Sequence, residues 1–354
     1  MKQKKVLHIL APDKFCIPFI LFINKEFNCD EHLFLCSTKP DEDFLSSNSN
    51  VRFLYSPYRK NIIKNMLIFH RSIREASKII LHGNPVLFYF LFFPRALKKS
   101  YWIIYGYELG KTNIPGDKEK LNLIESLIKK FVLKRIRGHI SHIKGDSELA
   151  NSLFKSSAKF YYSPMYLSNV VTEYRQEKAQ GVGKSDVRKI MVGNSTCPTN
   201  DHTSIFKMLL PYKEDDILIY CPLSYGNYPG YRDEVIQLGI ELFGEKFIPI
   251  TSFMKLEEYN AFIGDIDIAI FNHKRQEAMG VTLTLLNTGK IVYMNSQTTS
   301  YNSLIDRGIK VFDNKLIEKE GLYFQRDVSM NPTLVCKEYC YDKLKSSLAI
   351  IFND

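Results

Sequence analysis

Cysteine is sparse and carries no pairing pattern. The chain has seven, at 16, 29, 36, 197, 221, 336 and 340, an odd count with no Cys-x-x-Cys. Cys336 and Cys340 stand at helical spacing, but no His or Cys pair lies near them in sequence. A disulfide framework and a zinc site are therefore not expected, and a reduced, cytoplasmic protein is. Long apolar runs are missing as well. The most apolar stretch, 85–93, falls short of the roughly 20 residues that a membrane span needs. Residues 1–5 are basic, but the apolar run behind them, 6–10, is too short for a secretory leader. Asp13 and Lys14 follow at once, so 6–10 reads as a first strand. Neither Gly-x-x-x-x-Gly-Lys nor Gly-x-Gly-x-x-Gly occurs, which disfavours ATP hydrolysis and hydride transfer. There is no internal repeat. No nucleic-acid-binding motif is recognisable, nor any stripe of interleaved aromatic and basic residues.

What is present is the composition of a soluble globular protein long enough for two domains. The chain has 354 residues, 45% hydrophobic and 24% charged, with 13% aromatics. Its net charge of +10 is uneven. Residues 1–170 hold 27 Lys and Arg against 14 Asp and Glu, leaving 21 against 24 in the remainder. The first half thus carries +13 and suits a polyanionic partner: a membrane face, a nucleic acid or an anionic lipid-linked substrate. A solvated basic surface would look the same.

Short apolar strands alternate with helical patterns throughout. Strands are expected at 6–10, 32–36, 51–55, 78–81, 101–105 and 139–143, then at 189–192, 217–221, 247–250, 266–271, 291–294 and 311–312. Between them come helices at 17–27, 61–77, 87–95, 121–137, 231–243 and 256–263, with polar loop at 41–50. This alternation predicts an α/β fold built from two Rossmann-like domains facing across a cleft. The expected boundaries are 1–165, a polar linker at 166–188, and 189–334. A terminal helix within 335–354 packs back on the first domain. Ligands of such folds bind at strand C-terminal ends.

In the second half, Gly193, Asn194 and Ser195 break a short strand, and cap-type residues at 199–202 lead into a helix. Glycine admits close backbone approach, and a helix start favours an anion, so this turn suits a phosphate. An ordinary strand-to-helix turn has the same pattern. Three other features can converge on the same ligand: Tyr225 in 222–226, Arg275 in the loop 273–277, and a small-residue helix start at Gly280. Arg275 supplies a planar fork matched to phosphate oxygens. Tyr225 and Phe271 are placed to stack on a base. The inventory fits a nucleoside diphosphate. Asp265–Ile266–Asp267 has the spacing of a metal-diphosphate clamp, but it lies at the wrong end of its strand, so no metal is expected.

In the first half, Asp13, His82 and Glu108 fall at or near strand ends, where a carboxylate or imidazole can take a proton from a sugar hydroxyl. His82, before Gly83, is expected in a turn. His8, inside its strand, reads as a core histidine, and Asp146 as a cap. The stretch 121–137 combines a broad apolar face with Lys129, Lys130, Lys134, Arg135 and Arg137. Both an interfacial membrane helix and a core-packed helix with a basic outer side have that pattern. Lys64, Arg71, Arg74 and Lys78 add to the same half.

Several pieces occur together and in order. They are Leu7–His8 with Asp13, His82–Gly83–Asn84–Pro85, Gly106–Tyr107–Glu108–Leu109, and Gly145–Asp146. Then come Val192–Gly193–Asn194–Ser195, Pro222 with Tyr225–Gly226, Glu241–Leu242–Phe243, Arg275–Gln276 with Gly280, and Leu285–Leu286 with Gly289. With these the chain resembles the bacterial TDP-N-acetylfucosamine:lipid II N-acetylfucosaminyltransferases, the 4-alpha-L-fucosyltransferases of enterobacterial common antigen assembly. Glutamate stands at 108 where that family carries aspartate. The resemblance implies a GT-B glycosyltransferase, for which no cofactor beyond the donor is expected and, from the placement of Asp265 and Asp267, no metal. It implies a TDP-activated amino-deoxysugar donor, N-acetylfucosamine-like, held by the second domain. The strand-end pattern assigns that role to Gly193, Asn194, Ser195, Tyr225, Arg275 and Gly280, and leaves Glu108 or His82, with Asp13 behind them, as the candidate base. The implied acceptor is a glycan on polyprenyl diphosphate, in common antigen, O-antigen or capsule synthesis. The implied location is the anionic inner face of the bacterial cell membrane, with no nucleic acid as partner. The residues alone also admit a non-catalytic nucleic-acid-binding protein, or a pyruvyl-type transferase on the same frame.

Overall fold

Successive residues of a strand point to opposite faces, and the central strands here are apolar at both parities, as strands covered on both sides must be. Leu7 and Ile9 enter one core with Ile79 and Leu81. Val6, Leu10 and Ile80 enter another on the opposite face. Each such buried side chain contributes about 1.5–3 kcal/mol. The computed structural model describes residues 5–84, 86–109, 123–171, 187–226, 228–322 and 326–354. They form two units, described in turn below. The first comprises the described residues up to Leu109, those of 123–170, and Tyr341–Asp354; the second takes those of 171–340.

The first unit is a parallel sheet of β1 (Lys5–Leu10), β2 (His32–Cys36), β3 (Val51–Phe53), β4 (Ala76–His82), β5 (Ser100–Ile103), β6 (Gly138–Ser141) and β7 (Lys159–Tyr162), in the order β3-β2-β1-β4-β5-β6-β7. The second is a parallel sheet of β8 (Arg188–Val192), β9 (Ile217–Pro222), β10 (Phe247–Ile250), β11 (Ile268–Phe271), β12 (Ile291–Met294) and β13 (Phe312–Asp313), in the order β10-β9-β8-β11-β12-β13. Each sheet reverses its winding once, between β1 and β4 and between β8 and β11. That places a crevice at the C-terminal ends of those strand pairs.

The terminal helix Tyr341–Asn353 lies on the first sheet. Leu344, Leu348 and Ile351 enter its core, and Glu26 receives the Tyr341 hydroxyl at 2.7 Å and Lys345 at 2.8 Å. Tyr166 to Val170, expected as the start of a linker, belongs to the first unit. Most of that linker, 172–186, lies outside the described residues, as do Pro85 and residues 121 and 122 of the expected basic helix.

Two local expectations are corrected. The loop at 41–50 contains a helix, Glu42–Ser47, whose first turn carries Glu42 and Asp43; acids there oppose the helix dipole favourably. The buried helix expected at 87–95 is a pair of 3-10 turns, Leu87–Leu91 and Pro94–Lys99. Pro94 lacks the N–H a continuing helix needs and restricts Phe93 before it.

Candidate functional site

In the second unit the switch point is occupied by a polar cluster. Gly193 follows β8 with φ +64° and donates its N–H to the Ile270 carbonyl of β11 at 3.1 Å. A Cβ there would lie 2.5 Å from His202 Nε2 and 2.9 Å from Asn200 Oδ1. Gly193→Ala is therefore expected to cost about 1–3 kcal/mol, the range for a non-glycine residue held in the left-handed region. A thermal melt showing no loss of midpoint would overturn that reading of the turn.

Asn200, fully buried, organises the cluster. Its Oδ1 accepts from Asn194 N–H at 2.9 Å and faces His273 Nε2 at 3.0 Å. Its Nδ2 donates to Ser195 Oγ at 2.9 Å and to the Cys197 carbonyl at 3.0 Å. Tyr225 joins through its carbonyl, which accepts the N–H of Thr196 at 2.7 Å. Thr199 Oγ1 donates to Glu277 Oε2 at 2.6 Å, and Arg275 Nε donates to Glu277 Oε1, also at 2.6 Å. Gly193, Asn194, Ser195, Tyr225 and Arg275 are thus linked through a few shared partners. Gly280 lies in the first turn of the helix Met279–Asn287, directly after the Arg275 loop.

Burial lowers His273, with Glu277 opposing and Arg275 adding to the shift, and it lowers His202 to about 3. Both imidazoles are therefore neutral, and the Arg275–Glu277 pair carries charge beside them.

Gly193 and Asn194 spend their N–H groups inside the protein. The helix His202–Leu209 is preceded by Asp201, whose carboxylate accepts from Ser204 Oγ at 2.9 Å and Asn272 Nδ2 at 3.0 Å. A carboxylate already stands at that positive helix end. The Arg275 guanidinium is held by Glu277, and the first-turn N–H groups of the helix Met279–Asn287 have no partner within their helix. Phe271, expected to stack on a base, is 1% exposed and packs on His273 instead. Asp265 pairs with Lys189, and Asp267 Oδ2 accepts the Lys189 N–H at 2.9 Å, both at the opposite end of β11.

In the first unit, β1 and β4 end in a second buried network. His8 shares hydrogen bonds with His32 and His82, each at 3.1 Å. His82 Nδ1 meets Tyr166 OH at 2.6 Å, and Tyr166 OH meets Tyr105 OH at 2.6 Å. A neutral imidazole donates once and accepts once, so the three rings form a one-way chain. Burial holds His82 down at about 3. His82 closes β4 rather than standing in a turn, and both of its ring nitrogens are engaged. Asp13 is exposed, and its Oδ1 accepts the N–H groups of Phe15 and Cys16 at 2.9 and 2.8 Å, tying down the start of the helix Cys16–Glu26.

Glu108 differs from both. It is 4% exposed. Its Oε2 accepts the Tyr105 N–H at 3.1 Å, while its Oε1 has no hydrogen-bond partner among the described residues. Burial raises its pKa to about 8, against the smaller opposing pulls of hydrogen bonds and Lys129. Gly83, at φ +70°, makes room: a Cβ there would lie 2.6 Å from the Tyr105 ring and 3.4 Å from Glu108 Oε1. A buried carboxyl with a raised pKa and one oxygen unclaimed among the described residues is a candidate for proton transfer.

A family model described as 4-alpha-L-fucosyltransferase, glycosyl transferase group 56, matches residues 22–326. The chain belongs to that family. It is a fucosyltransferase-like glycosyltransferase, and its fold is GT-B. Among solved structures, a Rickettsia africae glycosyltransferase is 14% identical with TM-score 0.67, covering 100% of this chain and 98% of its own. Anabaena HepE, in complex with UDP, is 12% identical with TM-score 0.67, covering 99% of each chain. Sucrose-phosphate synthase from Thermosynechococcus elongatus is 8% identical with TM-score 0.68, covering 99% and 98%. At these identities the likeness is one of fold.

The stretch matched to this fucosyltransferase family contains His82, Glu108 and all six residues expected to hold the donor, but begins after His8 and Asp13. Glu277 shares the Arg275 loop, but Asn200, Thr196, Tyr105 and Tyr166 carry no sequence pattern that marks them as site residues. A polar residue becomes a hub through distant partners, and only the cap-type run at 199–202 hinted at Asn200.

Proposed function

We propose that this glycosyltransferase moves an N-acetylfucosamine-like amino-deoxysugar from a TDP-sugar to a saccharide on undecaprenyl diphosphate. The setting is surface polysaccharide synthesis (common antigen, O-antigen or capsule) on the inner face of the bacterial cell membrane. The observation that carries it is the cluster at the ends of β8 and β11, where Arg275 stands beside a glycine turn and a helix start. Arg275 and the N–H groups at Met279 and Gly280 hold the diphosphate, the Gly193–Ser195 turn shapes its approach, and Tyr225 covers the base. The solved structures of Anabaena HepE, which hold UDP and UDP-glucose, support a nucleotide-sugar in this fold.

Glu108, as the carboxylate, takes the proton of the acceptor hydroxyl as that oxygen bonds to the anomeric carbon. The bond from that carbon to the diphosphate breaks, and TDP leaves with the electron pair, stabilised by the Arg275 guanidinium. His82 and Asp13 position the β4 end and the first loop around it. The proposed transfer invokes no divalent cation; Asp265 and Asp267, the Asp-x-Asp pair, are engaged by Lys189 at the far end of β11.

The test is a thermal-shift panel of TDP, UDP, GDP and their sugars. TDP is expected to raise the melting midpoint most, and to do so equally in excess EDTA; at a hundredfold excess over Kd the gain is about 2.7 kcal/mol. A shift with UDP alone, or with none, would remove the TDP reading.

A further inference from the structure

The first unit leaves large apolar side chains in water on three neighbouring segments. In the helix Ile62–Glu75, the positions 63, 67, 71 and 74 share one outward stripe. They hold Ile63 and Leu67, then Arg71 and Arg74, all exposed. In the helix Leu123–Leu133 and the turn that follows, 123, 127, 130 and 134 form the same kind of stripe. They hold Leu123 and Leu127, then Lys130 and Lys134, also exposed. Leu123 is 77% exposed and Leu127 56%. Each stripe is apolar in its first half and basic in its second; at the end of the first, Glu75 pairs with Arg71 at 3.3 Å, leaving Arg74 as its outward cation.

Between the two helices lies the turn Leu87–Leu91 with Phe92, which exposes Phe88 by 41% and Phe92 by 48%. Phe69 and His70 of the first helix stack on Tyr89 and Phe93, with ring centroids 5.2 Å apart in each pair, and the second helix packs on the same turn. The three segments are therefore one neighbourhood, and it adjoins the acceptor machinery. The turn follows His82–Gly83–Asn84, and Lys129 of the second helix donates to the Glu108 carbonyl at 3.0 Å.

We infer that these three segments are a docking face for an anionic lipid bilayer. Phe88, Phe92, Leu123 and Leu127 enter the boundary between headgroups and acyl chains, and Lys130, Lys134 and Arg74 meet lipid phosphates. Apolar tips followed by basic residues along one helical stripe match the layering of an interface, apolar below and anionic above. Among the described residues no helix is long and apolar enough to cross a membrane, so attachment is at the surface. The inference rests on the proposed lipid-linked acceptor for its purpose: the face holds Glu108 beside the plane in which that acceptor's diphosphate lies.

The test is flotation of the full chain with vesicles of phosphatidylcholine alone or mixed with phosphatidylglycerol. Wild type is expected to float with the anionic vesicles and to be released by salt. Phe88→Ser/Phe92→Ser and Lys130→Glu/Lys134→Glu are each expected to lower the bound fraction by roughly tenfold or more, with unchanged melting midpoints. Wild type that stays in solution, or variants that float like wild type, would overturn the inference. So would a wild-type dimer, in the absence of vesicles, that the same variants dissociate, since a second copy would then own the face. Flotation as expected, with no sugar passed to a lipid-linked acceptor, leaves the face standing and sinks the acceptor reading. Transfer to a short, water-soluble acceptor without flotation does the reverse.

Discussion

Glu108→Gln is expected to lower kcat/KM by about a thousandfold, within the range for loss of a general base, while making the protein more stable. Both effects follow from one observation, a buried carboxyl raised from 4.5 to about 8. The sign follows from linkage. The folded state binds this proton more tightly than the unfolded state, so stability is highest below pH 4.5. It falls as pH rises through the window from 4.5 to about 8, where the buried group must ionise. Gln keeps an oxygen for the Tyr105 N–H and never ionises. It should therefore add about 3 kcal/mol at pH 7, read as a rise of several degrees in melting temperature. In the wild type, roughly one Glu108 in ten is ionised at pH 7, so turnover should climb with pH and level off above about 8. TDP binding should be untouched. Full turnover in the Gln variant would exclude Glu108 as the base. Lost turnover without the stability gain would show that its carboxyl is not strained by burial.

Arg275→Ala is expected to lower kcat/KM by about a hundredfold to a thousandfold and to weaken TDP binding. These are the magnitudes seen when one donor to a departing anion is removed. Arg275→Lys should recover only part, because an ammonium cannot reproduce the planar fork that holds Glu277 on one side and a phosphate on the other. The substitution also strands Glu277. Its side chain is 16% exposed and, among the described residues, is left with Thr199 Oγ1 and a His273 nitrogen 4.0 Å away. His273 should then titrate at higher pH, which proton NMR of its ring would show. An unchanged Kd for TDP in the Ala variant would move the diphosphate elsewhere on the second unit.

The elements that carry these sites were legible in the sequence to different depths. The strand–turn–helix at 188–203 is visible because apolar periodicity and turn residues act over a few positions. Gly193 was singled out there, and its left-handed φ is what a tight turn at a strand end requires. Glu108 and His82 were legible only as residues near strand ends. What separates them is partnership: His82 finds His8 74 positions away and Tyr166 84 positions away, while Glu108 leaves one oxygen unclaimed among the described residues. Phe271 looked like a stacking residue because it ends a strand beside the site, but its ring turns into the core against His273.

By itself the sequence determined that this chain alternates strand and helix, that its sheets are parallel and its fold α/β, and, through matched motifs, that it is a fucosyltransferase-like glycosyltransferase. Those properties follow from patterns repeating every two to four residues and from short runs of fixed spacing. Only the tertiary structure decided which carboxyl is buried, which backbone N–H groups are already spent, and which apolar side chains at 88–92 and 123–127 remain in water. Burial and hydrogen-bond pairing are set by segments far apart in the chain, and no local pattern encodes which of them will meet.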